Sequence, residues 1–186
     1  MPEEREATNE KRIAPLVERL ARWRVPLGFA CGVSVLYFAR PTPRSLAIGG
    51  AVAVIGEVVR IWAAGHLDKG REVTQSGPYR FTRHPLYLGS AIVAAGVAVA
   101  SARLAVVLIV GMYMAVTIGS AMRHEEENMR VQFGREYEAY LRTTAPGVTR
   151  AFSVERAMKV NKEYKAIVGL VVAGLILAAK VALNAD

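Results

Sequence analysis

The sequence predicts an all-α fold, a polytopic membrane helix bundle with about five transmembrane helices in one domain spanning residues 1–186. Apolar residues make up 53% of the chain and fall in continuous blocks, not at amphipathic spacing. Nineteen residues without Asp, Glu, Lys or Arg precede Arg103, and another nineteen follow it. Such blocks are long enough to cross a bilayer when flanking Lys and Arg side chains reach the interface.

The N-terminal segment differs from these blocks, because its first 24 residues are charged throughout and lack the apolar core of a signal peptide. Apolar residues recur there at helical spacing between Glu10 and Arg24. This pattern predicts an amphipathic helix that lies in the membrane interface or, alternatively, packs on the loops.

The apolar blocks predict spans at about 25–38, 45–64, 85–100 and 104–122, and a fifth within a C-terminal helix at about 153–183. Gly49, Ala53 and Gly56 leave one side of the second span nearly bare, which permits close helix contact. Only Ser101–Arg103 join the third and fourth spans, so these two form an antiparallel hairpin. We expect the fourth helix to continue into the cytosol until Gly134.

The net charge of +8 is distributed unevenly along the chain. The N-terminus and the segments 66–84 and 123–165 carry nineteen Lys or Arg, whereas the opposite side carries three. This asymmetry predicts that the N-terminus and both segments lie in the cytoplasm. It also explains the positive net charge, so nucleic acid is not expected as a partner. One cysteine and three scattered histidines predict neither an intramolecular disulfide nor a metal site.

A polar stretch, Gly77–Gly89, precedes the third span and contains two Arg, one His and two Tyr. Because His84 precedes a proline, the helical conformation is disfavoured for its backbone. Pro85 itself suits the first turn of a helix. Arg83 and His84 are therefore expected at the mouth of the third span, with Tyr87 in its first turn. A simple anchor of Arg and Tyr at the membrane edge is the alternative interpretation.

A run that ends in three glutamates follows the fourth span at 123–127, and aromatic residues follow at 133–140. The hairpin returns Glu125 and Glu126 to the membrane face that carries His84, so both motifs can form one site. The last glutamate of the run is expected on a solvated helix face, as is usual for charge runs.

The order Arg-His-Pro-x-Tyr-x-Gly, helical hairpin, Glu-Glu and Phe-Gly-x-x-Tyr-x-x-Tyr resembles the isoprenylcysteine carboxyl methyltransferase family. The wider relatives of that family include the membrane phospholipid methyltransferases. The resemblance covers roughly Gly56 to Gly147, and the C-terminal helix lies outside it. It implies that S-adenosylmethionine is the cofactor, bound from the cytosol and released as S-adenosylhomocysteine. The implied cofactor-binding residues are His84, Pro85, Tyr87, Gly89, Glu125, Glu126, Tyr137 and Tyr140.

These residue types supply what S-adenosylmethionine requires: carboxylates for its hydroxyl or ammonium groups, a cation for its carboxylate and an aromatic wall for its adenine. The Gly-x-Gly-x-x-Gly fingerprint of a soluble nucleotide-binding fold is absent from the sequence. The predicted catalytic residues are Arg60, Arg83 and Glu125.

Glu57 and Arg60 lie three residues apart inside the second span. Ionisable groups at such depth usually face the bundle interior or a cavity, although a mutual ion pair at the cytoplasmic edge is an alternative. Arg60–Ala63 match an Arg-x-Trp-Ala run that is similar in the family. We expect Arg60 to receive an anionic acceptor.

The leading functional hypothesis is carboxylate O-methylation of a lipophilic acceptor that enters from the membrane lipids. A carboxylate is ionised at neutral pH and needs no general base. The alternative is N-methylation of a lipid amine, which needs a base such as His84 or a glutamate. A third hypothesis is a membrane scaffold without activity. Small residues at 169, 173, 174 and 178 also predict that the C-terminal helix packs on the bundle or forms a homo-oligomer.

Overall fold

The computed structural model describes residues 26–142 and 150–184, and this part of the chain contains helices and connections but no strand. The predicted all-α class is confirmed. The helices are α1 (Pro26–Phe38), α2 (Pro43–His66), α3 (Pro85–Ser101), α4 (Leu104–Phe133), α5 (Arg135–Arg142) and α6 (Tyr164–Leu183). A short 3₁₀ helix, Gly77–Arg80, lies between α2 and α3. The amphipathic helix predicted before Arg24 lies outside the described residues.

Three of the described helices, α2, α4 and α6, are long and apolar enough to cross a membrane. Two further apolar helices, α1 and α3, are shorter. α3 has Pro85 in its first turn, and it ends where Ala102 adopts the left-handed conformation with a φ of 50°. A helix therefore occupies each predicted apolar block, but the predicted count of five spans is not confirmed.

α2 and α3 pack backbone against backbone through four glycines. A Cβ atom at Gly49 would lie 2.4 Å from the carbonyl oxygen of Gly96, and one at Gly56 would lie 2.8 Å from that of Gly89. A larger residue at these positions would push the helices apart. The close helix contact predicted from the small residues of α2 is therefore confirmed.

Two tight connections meet at the end of the bundle where α1 and α3 end. The Arg40 N–H donates to the Ser101 carbonyl at 2.9 Å, and the Ser45 hydroxyl donates to the Ala100 carbonyl at 3.1 Å. α4 begins only three residues after α3 ends, so the predicted antiparallel hairpin is confirmed. The α1–α2 and α3–α4 turns thus lie on one side of the bundle.

A charged side chain fastens α6 to α1 at this same end. The Lys180 ammonium donates to the carbonyls of Leu36, Tyr37 and Ala39 at 2.7, 3.1 and 2.9 Å. A helix leaves its last carbonyls without intrahelical partners, and its dipole favours a cation there. Lys180 therefore caps α1 and joins it to the last helix of the chain.

At the opposite end, α4 continues past the apolar block to Phe133, as predicted, and ends at Gly134 with a φ of 46°. α5 follows, and its Tyr137 and Tyr140 pack with Val73 from the α2–α3 connection in one buried cluster. This cluster holds the α2–α3 connection against the extension of α4.

The prediction of one continuous helix at 153–183 is wrong. A π-helical turn, Arg156–Val160, precedes a break in which Lys162 adopts a φ of 57°, and α6 begins only at Tyr164. π-helical turns are rare and are often found at functional sites. The segment before α6 is therefore not part of that helix.

The break allows this segment to lie across the end of α2. The Asn161 side-chain amide donates to the carbonyls of Ala64 and Leu67 at 2.8 and 3.0 Å. Carbonyls at the C-terminus of a helix such as α2 need hydrogen-bond donors from outside that helix. A continuous helix at 153–183 would not supply them. Tertiary hydrogen bonds thus override the local helical pattern.

The two glycines of α6 make no close contact with the described part of the chain. A Cβ atom at Gly169 or Gly174 would meet nothing there within 4 Å. The expectation that these residues pack on the bundle or on a second copy stays a prediction.

Candidate active site

His84 links the two sequence motifs directly. Its Nε2 lies 2.9 Å from Glu126 Oε1, which joins the residue before α3 to the cytosolic extension predicted for α4. The His84 backbone has a φ of −128° and a ψ of 56°, outside the helical region, because Pro85 follows. The extended backbone and the hairpin together bring an imidazole and a carboxylate into hydrogen-bond contact.

Arg83, a predicted catalytic residue, is exposed and engages α5. Its Nη2 donates to the Leu141 carbonyl at 3.0 Å, near the C-terminal end of that helix. A guanidinium at this end also interacts favourably with the helix dipole. The contact fixes the loop that carries His84 against α5.

Tyr137 and Tyr140 are buried, with 3% and 5% of their surface exposed. Their rings are 6.1 Å apart, and the Tyr140 hydroxyl donates to the Tyr79 carbonyl at 3.1 Å. Burial raises the pKa of both hydroxyls, and the Glu126 carboxylate raises that of Tyr137 further. The structure therefore places these predicted cofactor-binding residues in a packed wall behind the loop, close to Glu126.

Tyr79 is a site residue that the sequence analysis did not identify. It is buried, and burial followed by the charge of Glu125 raises the pKa of its hydroxyl far above the usual range. Glu163 and Tyr87 act on the same hydroxyl with smaller effects. Tyr79 is therefore a buried phenol close enough to Glu125 for that carboxylate to disfavour its ionisation.

Arg60, the second predicted catalytic residue, lies between two carboxylates. Its Nε is 3.4 Å from Glu57 Oε2, and its Nη2 forms an ion pair with Glu163 Oε1. Its Nη1 also donates to the Ser90 hydroxyl on α3. The expected contact with Glu57 is present, whereas Glu163 and Ser90 were not anticipated.

Gly89 permits this arrangement because it lies directly beneath Arg60. A Cβ atom at Gly89 would lie 2.6 Å from Arg60 Cγ and 2.8 Å from the Gly56 carbonyl oxygen. Gly89, which the resemblance implies in cofactor binding, is therefore placed against α2 in the structure. Pro85 is fully buried one turn earlier.

A largely apolar cavity of about 810 Å³ opens from this ion-pair cluster toward the opposite end of the bundle. α1, α3, α4 and α6 supply its apolar lining, including Val35, Val97, Met114 and Leu177. Glu57, Arg60, Tyr87 and Ser90 form its polar end. A volume of this size is typical of sites that enclose a small-molecule ligand.

Tyr87 lies in both parts of the site. Its ring centroid is 5.8 Å from that of His84, and its side chain lines the cavity. The structure therefore joins the His84–Glu126 pair to the cavity through one aromatic residue. Glu125 and Glu126 are half-buried nearby, whereas Glu127 and His124 are exposed.

The chemistry of this end of the bundle fits S-adenosylmethionine. The half-buried side chains of Glu125, Glu126, His84 and Tyr87 supply carboxylates, an imidazole and an aromatic ring for its hydroxyl, ammonium and adenine groups. One carboxylate oxygen, Glu57 Oε1, is buried without a hydrogen-bond partner among the described residues. Within residues 26–142 and 150–184, no group of three His, Cys, Asp or Glu is arranged to hold a metal ion.

Comparison with known proteins supports the family resemblance that the motifs indicate. The sequence model of the phospholipid methyltransferase family matches residues 45–136, so the predicted resemblance is confirmed for α2, α3 and α4. The cobalt-zinc-cadmium resistance protein CzcN of Cupriavidus metallidurans is 26% identical over 133 residues. This alignment covers 68% of the present chain but only 61% of that relative. No solved structure matches the chain.

Proposed function

Since residues 45–136 match the phospholipid methyltransferase family, we propose that this membrane protein transfers methyl groups from S-adenosylmethionine to a lipophilic acceptor. The observation that carries this proposal is the position of Tyr87, which contacts His84 and also lines the apolar cavity. A cofactor held by the motifs and an acceptor held in the cavity would meet at this residue.

His84, Glu125 and Glu126 would hold the cofactor at the mouth of α3. When bound, S-adenosylmethionine supplies an electrophilic methyl group on a sulfonium, which becomes a neutral thioether after transfer. Carboxylates favour such a cation, and the 2.9 Å bond from His84 keeps the Glu126 carboxylate oriented. The protein's main task is to position the acceptor and exclude water.

The cavity suits the apolar part of the acceptor. Its lining from α1, α4 and α6 is mostly Val, Leu, Ala and Gly, and its charged groups, Glu57 and Arg60, lie at one end. This polarity would orient a molecule with an apolar chain and a polar head, with the head at Arg60 and Tyr87. We therefore propose that the acceptor enters from the bilayer.

The charges around Arg60 support one of the two acceptor classes over the other. The sequence favoured an anionic acceptor bound by Arg60, but two carboxylates, Glu57 and Glu163, already neutralise that guanidinium. With both acids ionised, the cluster carries a net negative charge and repels a further carboxylate. This balance favours the alternative, N-methylation of a lipid amine.

An amine acceptor must lose a proton before its lone pair can bind the methyl group. The cavity offers one group that can accept it, because Glu57 is buried at the polar end and its Oε1 has no hydrogen-bond partner in the described chain. His84 is the second candidate, although its Nε2 is occupied by Glu126.

The cytoplasm is the proposed location of the active site. The excess of Lys and Arg in the segments around His84 and Glu126 supports it, because cytoplasmic connections of membrane proteins carry such an excess. The multi-pass topology is supported by the helices that occupy all predicted apolar blocks.

Cofactor binding and turnover test the proposal in two steps. Purified protein in detergent should bind S-adenosylmethionine in calorimetry, whereas Glu126→Gln should bind it more weakly. Incubation with methyl-labelled S-adenosylmethionine and a total lipid extract should then give a labelled lipid that mass spectrometry identifies. Protein that is folded but binds no S-adenosylmethionine would overturn the proposal.

A further inference from the structure

The segment between residue 150 and α6 reaches into the site although it lies outside the part of the chain that matches the family, residues 45–136. Its last residue before α6, Glu163, forms an ion pair with Arg60 on α2. Arg60 in turn lines the polar end of the cavity. The C-terminal segment therefore places a charged group against Arg60, at the acceptor end of the proposed active site.

Glu163 and Glu57 are both more than nine-tenths buried, with 5% and 7% of their surface exposed. Each has an oxygen, Oε1, without a hydrogen-bond partner among the described residues. Glu163 Oε1 is engaged in the ion pair with Arg60 Nη2, so Glu163 acts on the cavity through that guanidinium. Buried carboxylate oxygens normally accept hydrogen bonds, and Glu57, which lines the cavity, has an oxygen with capacity for a further donor.

The segment is fixed on the end of α2 by several hydrogen bonds. The Ser153 N–H and the Arg156 guanidinium donate to the Gly65 carbonyl at 3.1 and 2.6 Å. Arg150 donates to Asp68 and Glu72 in the α2–α3 connection at 2.7 and 2.6 Å. These contacts hold the segment in one position relative to the residues of the site.

The backbone conformation of the residue before Glu163 is uncommon for a residue other than glycine. Lys162 has a φ of 57°, which a lysine adopts only at an energetic cost. The Glu163 N–H donates to the Ala157 carbonyl at 3.0 Å, across the π-helical turn. Glu163 points inward in this conformation. The surrounding contacts offset the energetic cost of the positive φ at Lys162.

We infer that Glu163 is a specificity-determining residue, which with Glu57 selects an acceptor whose head is an amine and rejects one whose head is a carboxylate. This inference rests on the proposed methyl transfer. Glu163 supplies the second negative charge beside Arg60, and without it the guanidinium would be balanced by Glu57 alone. With both acids ionised in the wild type, the charge of the cluster would then change from net negative to neutral.

The experiment compares Glu163→Gln with the wild type on two lipophilic probes, a phosphatidylethanolamine and N-acetyl-S-farnesylcysteine, whose amine is blocked, in detergent with S-adenosylmethionine. We expect kcat/KM for the amine probe to fall at least tenfold and the value for the carboxylate probe to fall less or rise. Glu163→Asp keeps the charge and should retain the amine preference. Glu155→Gln, in the same segment but exposed and paired with Lys159, is the matched control and should behave like the wild type.

A merely structural role for Glu163 would lower kcat/KM for both probes equally, and that result would overturn the inference. A preserved amine preference in Glu163→Gln would do the same. Wild-type protein that binds S-adenosylmethionine but methylates neither probe would overturn the acceptor assignment and leave the proposed cofactor use intact. Wild-type protein that does not bind S-adenosylmethionine would instead overturn the proposed function itself.

Discussion

His84 Nε2 and Glu126 Oε1 are 2.9 Å apart, although 42 residues separate them in the chain. The α3–α4 hairpin between them returns the carboxylate to the imidazole. This contact makes the two residues a pair whose contributions to ligand binding should depend on each other.

We expect His84→Ala and Glu126→Gln each to weaken S-adenosylmethionine binding by roughly ten- to a hundredfold, the effect of losing about 1.5–3 kcal/mol from a charged hydrogen bond. The double variant should lose less than the sum of the two. Titration calorimetry measures all three, with the exposed Glu127→Gln as the control. A larger loss in Glu127→Gln than in Glu126→Gln would contradict the assignment.

Gly89→Ala should destabilise the bundle by about 1–3 kcal/mol, because the new methyl group would overlap Arg60 Cγ and the Gly56 carbonyl. Gly50→Ala, on the same helix pair but with nothing within 4 Å of its Cβ position, is the matched control. It should be neutral or stabilise by up to about 1 kcal/mol through helix propensity. Thermal unfolding in detergent compares the two, and equal effects would argue against the backbone contact.

Arg60→Leu leaves Glu57 and Glu163 as uncompensated buried carboxylates, and we expect a loss of about 3–5 kcal/mol in the free energy of unfolding. Adding Glu57→Gln and Glu163→Gln to that variant should recover part of the loss, since no buried charge then remains unpaired. Chemical unfolding monitored by circular dichroism measures both variants. Full wild-type stability in Arg60→Leu alone would show that the ion pairs contribute nothing.

Tyr79 should make stability depend on pH in alkaline solution. Its pKa is raised in the folded protein, so the folded state keeps a proton that the unfolded state releases near pH 10, the ordinary value for tyrosine. The stabilisation is therefore complete below about pH 10 and decreases as the pH rises above it. Between pH 9 and 11 the melting temperature of Tyr79→Phe should decrease less steeply than that of the wild type, by the effect of about one titrating group. The same slope in both proteins would contradict the prediction.

Reporter fusions test the topology. A reporter at Gly70, in the connection before the motif, should lie in the cytoplasm, and one fused after Asp186 should lie on the opposite side. The reason is the excess of basic residues in the segments 66–84 and 123–165. A cytoplasmic reporter after Asp186 would exclude α6 as a membrane-crossing helix.

Much of this architecture was predictable because it depends on local patterns. The bare face at Gly49 and Gly56 has a helical period, and the three-residue link after Ser101 leaves room only for a hairpin. From these two features the proximity of His84 and Glu126 followed. Motifs that the hairpin brings together can be read from the sequence.

The role of Glu163 could not be predicted in this way. It depends on Asn161 and Arg156 bonding to the end of α2, about ninety residues earlier, and on the resulting break in a segment with a helical pattern. Tyr79 was missed because its burial depends on α5, whose Tyr140 donates to its carbonyl. Long-range hydrogen bonds of this kind leave no periodic signal in the sequence.

The short length of α3 has a consequence for the surrounding lipid. Its 17 residues extend about 26 Å at 1.5 Å per residue, less than the roughly 30 Å hydrocarbon core of a typical bilayer. For α3 to cross, the bilayer must thin locally, or its flanking side chains must extend to the interface. Thinning would draw lipid headgroups inward at the helix that begins beside His84. A lipid would then travel a shorter distance out of its leaflet to present its head to Arg60.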